Sequence, residues 1–133
     1  MRLVFGVSII GKEHLSHLDQ FIIVANHNSH LDILLLFQLL PPDKLCKTHP
    51  LAARDYFKKS AWLYKTVDFL YKPIWVDRNA GKISTFKEIQ KRLGEGRSII
   101  IFPEGTRGET SEIQEFKKGV GSVAKNNSTI PLI

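Results

Sequence analysis

FIIVANHNSHLDILLLFQLL, residues 21–40, sets a short unbroken apolar run against a polar turn and then a leucine-rich segment. A strand covered on both faces reads as a continuous apolar run rather than an alternating one, so residues 21–25 predict a fully buried strand. Residues 26–31 then form a polar turn. Residues 32–40 predict a short buried helix, ended by Pro41 and Pro42, which cannot continue it. A second run, SIIIF at residues 98–102, has the same character and is followed by Pro103, Glu104, Gly105, Thr106, Arg107 and Gly108. Between the two runs Ile83, Phe86, Ile89 and Leu93 recur at three- and four-residue steps among polar residues, predicting an amphipathic helix closed by Gly94.

The remaining segments fit the same alternation. Residues 3–10 and 74–76 read as strands. Residues 45–53 leave helix and strand open. Tyr56, Phe57, Trp62, Leu63, Val67 and Leu70 give residues 55–69 a loose helical spacing. Residues 116–125 predict a second amphipathic helix and residues 130–133 a terminal strand around Pro131. Strands alternating with helices imply an α/β domain, a largely parallel central sheet flanked by helices. With no linker or repeat, residues 1–133 read as one domain. The chain stops inside its last apolar strand, which suggests a fragment whose sheet continues past Ile133.

Composition narrows the class. Of 133 residues, 43% are hydrophobic and 24% charged, which excludes a disordered tail. The one cysteine, Cys46, excludes an intrachain disulfide and favours cytosolic exposure. The longest apolar runs fall far short of the ~20 residues of a membrane-spanning helix. Nineteen Lys and Arg against thirteen Asp and Glu give a net charge of +6, favouring anionic partners. The cations are interspersed with acids and lack interleaved stacking aromatics, so nucleic acid is not expected.

In parallel sheets ligands bind beyond the carboxyl ends of strands, which points to the loops after residues 25 and 102, expected on neighbouring strands to face each other across one crevice. On an ideal helix His27 and Asp32 would point about 140° apart, so they are not a helical face pair. If the helix begins near Ser29, however, the two side chains converge across the turn. A carboxylate there would fix the imidazole tautomer and leave its other nitrogen as a base toward an alcohol. Residues 29–32 also match the S-x-x-D capping box, in which Asp32 reaches back to the amide of Ser29, and on pattern alone that reading comes first. Ser29 lacks the glycines of a nucleophile elbow. His14, His17, His27 and His30 form two H-x-x-H pairs, but without the Cys or carboxylate partners usual for zinc, so no metal is expected. Cys46 reads as packing. Glu104, the permissive Gly105, and Arg107 with its planar fork suit a phosphorylated ligand, and Arg78 is a second cation of the same kind, the two arginines each following a strand, with the two strands expected to be neighbours.

Taken in order, Asn26-His27 with Asp32, residues 73–78, residues 102–107 and residues 130–133 resemble the four blocks of the glycerolipid acyltransferase family, which includes the 1-acylglycerol-3-phosphate acyltransferases. Residues 116–119 (FKKG) also look like the family's. The resemblance covers nearly the whole chain, although Gly108 stands where many members have serine and Trp75 is bulkier than usual. It implies transfer of an acyl group from acyl-CoA or acyl carrier protein to the free hydroxyl of a lysophospholipid, 1-acylglycerol-3-phosphate above all. His27 would be the base and Asp32 its orienting partner. Asn26, Arg78, Glu104, Gly105, Thr106, Arg107 and Lys118 would form the acceptor site, with the two arginines on the phosphate. No cofactor is implied beyond the acyl donor. The setting implied is the cytoplasmic face of a membrane with an anionic surface, the chain being peripheral there and lacking the family's C-terminal part and any N-terminal membrane helix. Two other readings stay open, an acyl-thioester hydrolase and a noncatalytic basic module on anionic membrane.

A guanidinium fork on phosphate contributes about 1.5–3 kcal/mol, so Arg107→Ala is expected to lower acceptor kcat/KM roughly ten- to over a hundred-fold while sparing the donor. Arg107→Lys should rescue poorly, because the ammonium lacks the bidentate plane. Steady-state kinetics for both substrates check this, and full rescue by Lys removes Arg107 from the clamp.

Overall fold

The computed structural model describes residues 10–11, 13–29, 31–77, 82–105 and 116–133. The elements run α1 (Glu13–Ser16), β1 (Ile22–Val24), α2 (Leu31–Leu39), α3 (Pro42–Leu45), β2 (Thr48–Ala53), α4 (Arg54–Phe57), α5 (Ala61–Tyr71), β3 (Ile74–Val76), α6 (Lys82–Gly94), β4 (Ser98–Ile101) and α7 (Gly119–Asn126). The strand expected over residues 3–10 lies outside the described residues except for Ile10.

The four strands form one sheet in the order β1-β4-β2-β3, parallel at every pairing. Register places Ile22 beside Ile99, His49 also beside Ile99 on the other side, and Leu51 beside Ile74. Beyond β1 the chain end adds a further parallel contact, with Ile22 N–H donating to Pro131 O at 2.9 Å and Val24 N–H to Ile133 O at 2.8 Å.

Because successive strand residues point to opposite faces, the apolar runs feed two cores. On one face Ile22, Ile99, Ile101 and Ile74 pack with Ile89 and Leu93 of α6 and Val123 of α7. On the other, Phe21, Ile23 and Ile100 pack with Leu15, Leu40 and the inner side of α2. Here α5 meets α2 through the edge-on contact of Phe37 with Tyr71 at 4.9 Å, and β3 through the stack of Tyr64 on Trp75 at 4.4 Å. Helices therefore cover both sides of a sheet whose central strand, β4, is wholly buried.

Three expectations change in detail. The segment left open at residues 45–53 supplies β2, an inner strand. It pairs with β4 over residues 48–50 and with β3 over residues 51–53, exchanging partners beside Pro50, which has no N–H for a ladder. The helix expected over residues 55–69 is two helices. Ser60 takes an extended conformation and its hydroxyl accepts the N–H of Leu63 at 3.4 Å, starting α5 afresh. The helix expected from residue 116 begins at Gly119, because Lys117 N–H is bonded to Pro103 O at 3.0 Å.

α5 ends on Lys72 in the left-handed conformation, followed by Pro73. The carbonyl of Lys72 meets Nδ1 of the buried His49 at 2.9 Å, which ties the end of α5 to β2. Burial, together with the nearby charges of Arg92, Arg97 and Lys72, holds the His49 imidazole below its ordinary value, so it is neutral and Nδ1–H donates.

Ile99, fully buried between β1 and β2, is the side chain on which one core most depends. Ile99→Ala is expected to cost about 2–5 kcal/mol of unfolding free energy in a urea titration, from lost transfer energy and the cavity left behind.

Candidate active site

The carboxyl ends of the strands are where side chains stop being consumed by the cores. Ala25 N–H donates to Ile101 O at 3.1 Å, carrying the β1–β4 ladder one residue past its strands and bringing the turn after β1 beside the turn after β4. The two polar loops expected to face one crevice do lie on neighbouring strands.

In the first loop His27 Nδ1 lies 3.1 Å from Asp32 Oδ2. The same oxygen accepts the backbone N–H groups of Asn28 and Ser29, each at 2.8 Å. Ser29 Oγ accepts the N–H of Leu31 at 3.2 Å. The capping box and the histidine–carboxylate pair are thus one structure, not alternatives. Burial works against ionisation of Asp32, but the amides of Ser29 and Asn28 and the hydrogen bond and charge of His27 outweigh it, holding the carboxyl below the ordinary aspartate value. With an ionised partner at Nδ1, the imidazole donates there and leaves the Nε2 lone pair able to take a proton. The ring is stacked on Phe102 from the second loop, centroids 4.2 Å apart and planes 25° apart, so its orientation is fixed from both strands. Asn26, just before it, is exposed.

In the second loop Gly105 has φ of +69°, which a side chain rarely adopts, and its N–H closes a turn onto Phe102 O at 3.1 Å. A Cβ at Gly105 would collide with the Lys117 side chain, whose ammonium occupies that space. Glu104 is 3% exposed, and neither carboxylate oxygen has a hydrogen-bond partner among the described residues. Buried carboxylate oxygens without donors are costly, which makes Glu104 a candidate contact for a ligand's hydroxyl or cation.

Arg54 was missed by sequence reading. It follows β2 directly, at the same edge as Glu104, and its buried Nε also has no partner among the described residues. The signal existed, a cation immediately after a strand as at Arg78, but the strand itself was not legible. The expectation that Arg78 and Arg107 follow neighbouring strands is corrected, because β2 lies between β3 and β4. Arg78, Thr106 and Arg107 themselves lie outside the described residues. Lys118, expected in the acceptor site, is exposed just before α7, and it is Lys117 that covers Gly105. Among the described residues no three His, Cys, Asp or Glu side chains gather in one place. His30 of the H-x-x-H pairs is outside them.

Residues 6–133 match the profile of the family described as Acyltransferase. The chain belongs to the acyltransferase family. It is 33% identical over 126 residues to a 1-acyl-sn-glycerol-3-phosphate acyltransferase of Chlamydomonas reinhardtii, covering 90% of this chain and 35% of that protein. It is 31% identical to the 1-acyl-sn-glycerol-3-phosphate acyltransferase of Saccharomyces cerevisiae, covering 100% of this chain and 44% of that protein. The crystal structure of the 1-acyl-sn-glycerophosphate (LPA) acyltransferase PlsC from Thermotoga maritima is similar with a TM-score of 0.70 at 25% identity, over 92% of this chain and 46% of that one. The chain spans less than half the length of these acyltransferases.

The depressed carboxyl of Asp32 gives a pH test. A carboxyl held below its unfolded value, about 3.9, adds stability that is complete above that value and is lost as pH falls through the lower folded value. The unfolding free energy of wild type should therefore exceed that of Asp32→Ala near pH 7, and the difference should shrink steadily below about pH 4. A difference that persists undiminished in acid would show that the carboxylate charge does not hold the turn.

Proposed function

We propose that the protein moves a fatty acyl group from an acyl thioester, acyl-CoA or acyl carrier protein, to the free hydroxyl of a lysophospholipid, most specifically 1-acylglycerol-3-phosphate, in phospholipid synthesis. The observation that carries this reading is the pairing of His27 Nδ1 with Asp32 Oδ2, which leaves Nε2 as the proton acceptor beside the carboxyl ends of two neighbouring strands. Family membership and the names of the relatives support the same reaction class.

In the proposed reaction Nε2 takes the acceptor hydroxyl's proton as its oxygen attacks the thioester carbonyl. The tetrahedral oxyanion then collapses, the carbon–sulfur bond breaks, and the leaving sulfur takes the proton from the imidazolium, giving an ester and a thiol. No acyl-enzyme forms, and no metal or cofactor is asked for. A positioned base contributes about 10²–10⁴-fold, so orientation of the acceptor supplies much of the remainder. Glu104, whose oxygens have no partner among the described residues, is assigned to the acceptor's glycerol end, and Arg54, Arg78 and Arg107 to its phosphate. Asn26, Gly105, Thr106 and Lys118 complete the acceptor site in this reading, on the cytoplasmic face of a membrane with an anionic surface.

Purified protein given labelled acyl-CoA or acyl carrier protein with 1-acylglycerol-3-phosphate should release diacylated lipid carrying the label. His27→Ala should lower turnover by about 10²-fold or more with folding intact, as circular dichroism would show. Label appearing only as free fatty acid would make the protein a thioester hydrolase, and full turnover by His27→Ala would remove the proposed base.

A further inference from the structure

A helix apolar all round belongs inside a large core or in lipid. α2 has apolar residues at every position except Asp32 and Gln38, yet none of its residues is buried, and Leu31 and Leu34 are exposed. Its neighbour α5 turns Leu63, Tyr64, Val67 and Tyr71 inward and leaves Trp62, Phe69 and Leu70 outside, 76%, 80% and 59% exposed. Trp62 and Phe69 are seven residues apart and so share one helical stripe. Among the described residues the helices on the other face of the sheet, α6 and α7, expose one large apolar side chain, Ile83. Among the longer helices, apolar exposure thus gathers on α2 and α5, while Ile10, Phe116, Leu132 and Ile133 are exposed outside helices.

The charges around that side select what covers it. Lys58 and Lys59 precede α5, Lys65 lies on it and Lys72 ends it, all exposed. Against these four stand Asp55 and Asp68, and Asp68 is engaged by the Trp75 indole N–H at 2.8 Å. A second copy of the chain would bring lysines against lysines, and lysine is depleted in protein interfaces. Tryptophan, phenylalanine and leucine framed by lysines whose stems can lie along apolar surface suit a lipid headgroup boundary. No described helix is long and apolar enough to cross a membrane, so contact would be lateral.

We infer that the outer face of α2 and α5 docks on an anionic lipid bilayer, with Trp62, Phe69 and Leu70 entering the headgroup boundary and Lys58, Lys59, Lys65 and Lys72 meeting lipid phosphates. α2 begins at the turn holding Asp32, and Trp62 lies in the first turn of α5, which follows the carboxyl end of β2. Docking on this face brings the turn that holds Asp32 toward the lipid surface. The inference locates the membrane partner of the proposed function, but vesicle binding is measured without turnover, so either idea can fail alone.

The protein is mixed with vesicles of phosphatidylcholine, with and without one third phosphatidylglycerol, and followed by co-sedimentation and tryptophan emission. Binding is expected to the anionic vesicles, weakened by salt, with a blue shift on binding. Trp62→Phe should keep binding and lose most of the shift. Trp62→Ser with Phe69→Ser, and separately Lys58→Gln with Lys65→Gln, should each weaken partitioning at least about ten-fold. Both pairs are exposed, and circular dichroism verifies the fold. Partitioning unchanged in both double variants overturns the inference. So does a wild-type dimer, formed without vesicles, that shifts Trp62 emission and is abolished by the Trp62→Ser, Phe69→Ser pair.

Discussion

One carboxylate oxygen organises the site. Asp32 Oδ2 closes the first turn of α2 by accepting two backbone N–H groups and, from the same position, holds the imidazole of His27. A helix start is short of acceptors, and a general base needs a fixed tautomer. Both needs fall on one side chain because the strand-to-helix turn is tight. The stack on Phe102 then couples that arrangement to β4, so the imidazole is positioned by the sheet and not by its own loop alone.

Elements covered by simple apolar runs were legible in the sequence. β1, β3, β4 and α6 lie where unbroken or helically periodic apolar residues place them. β2 was not legible, because Thr48, His49 and Pro50 break the pattern of a buried strand although all three are buried. Their burial is tertiary in origin. The Thr48 hydroxyl donates to Lys44 O at 2.9 Å, His49 is satisfied at Nδ1 by Lys72 O, and Pro50 sits where the strand changes partners. Missing β2 meant missing Arg54 and placing Arg78 and Arg107 on adjacent strands. The convergence of His27 and Asp32 was readable, because it is a local property of a turn, whereas the covering of Gly105 by Lys117 depends on chain returning from twelve residues away and was not.

The site is asymmetric in a way that bears on chemistry. The proton-handling side is complete, each polar atom of Asp32 and His27 that fixes the ring having a partner. The other side, Glu104 and Arg54, leaves buried polar atoms without partners among the described residues. In the proposed reaction that asymmetry is what is wanted, a histidine set in advance by its own partners and hydrogen-bonding positions left for the acceptor to fill.

The sheet order has a consequence for how the site comes into being. Ile22 and Ile99 are neighbours in space but 77 residues apart in sequence (99 − 22). Closing so long a stretch carries an entropic cost that no local contact offsets, and parallel pairing of distant strands is slow for the same reason. During synthesis the turn bearing His27 and Asp32 leaves the ribosome long before β4 exists to support it. Phe102 and Glu104 are made only about 75 residues after His27. The histidine and carboxylate can meet early, yet the loop that stacks on the imidazole joins them only after β4 has paired with β1.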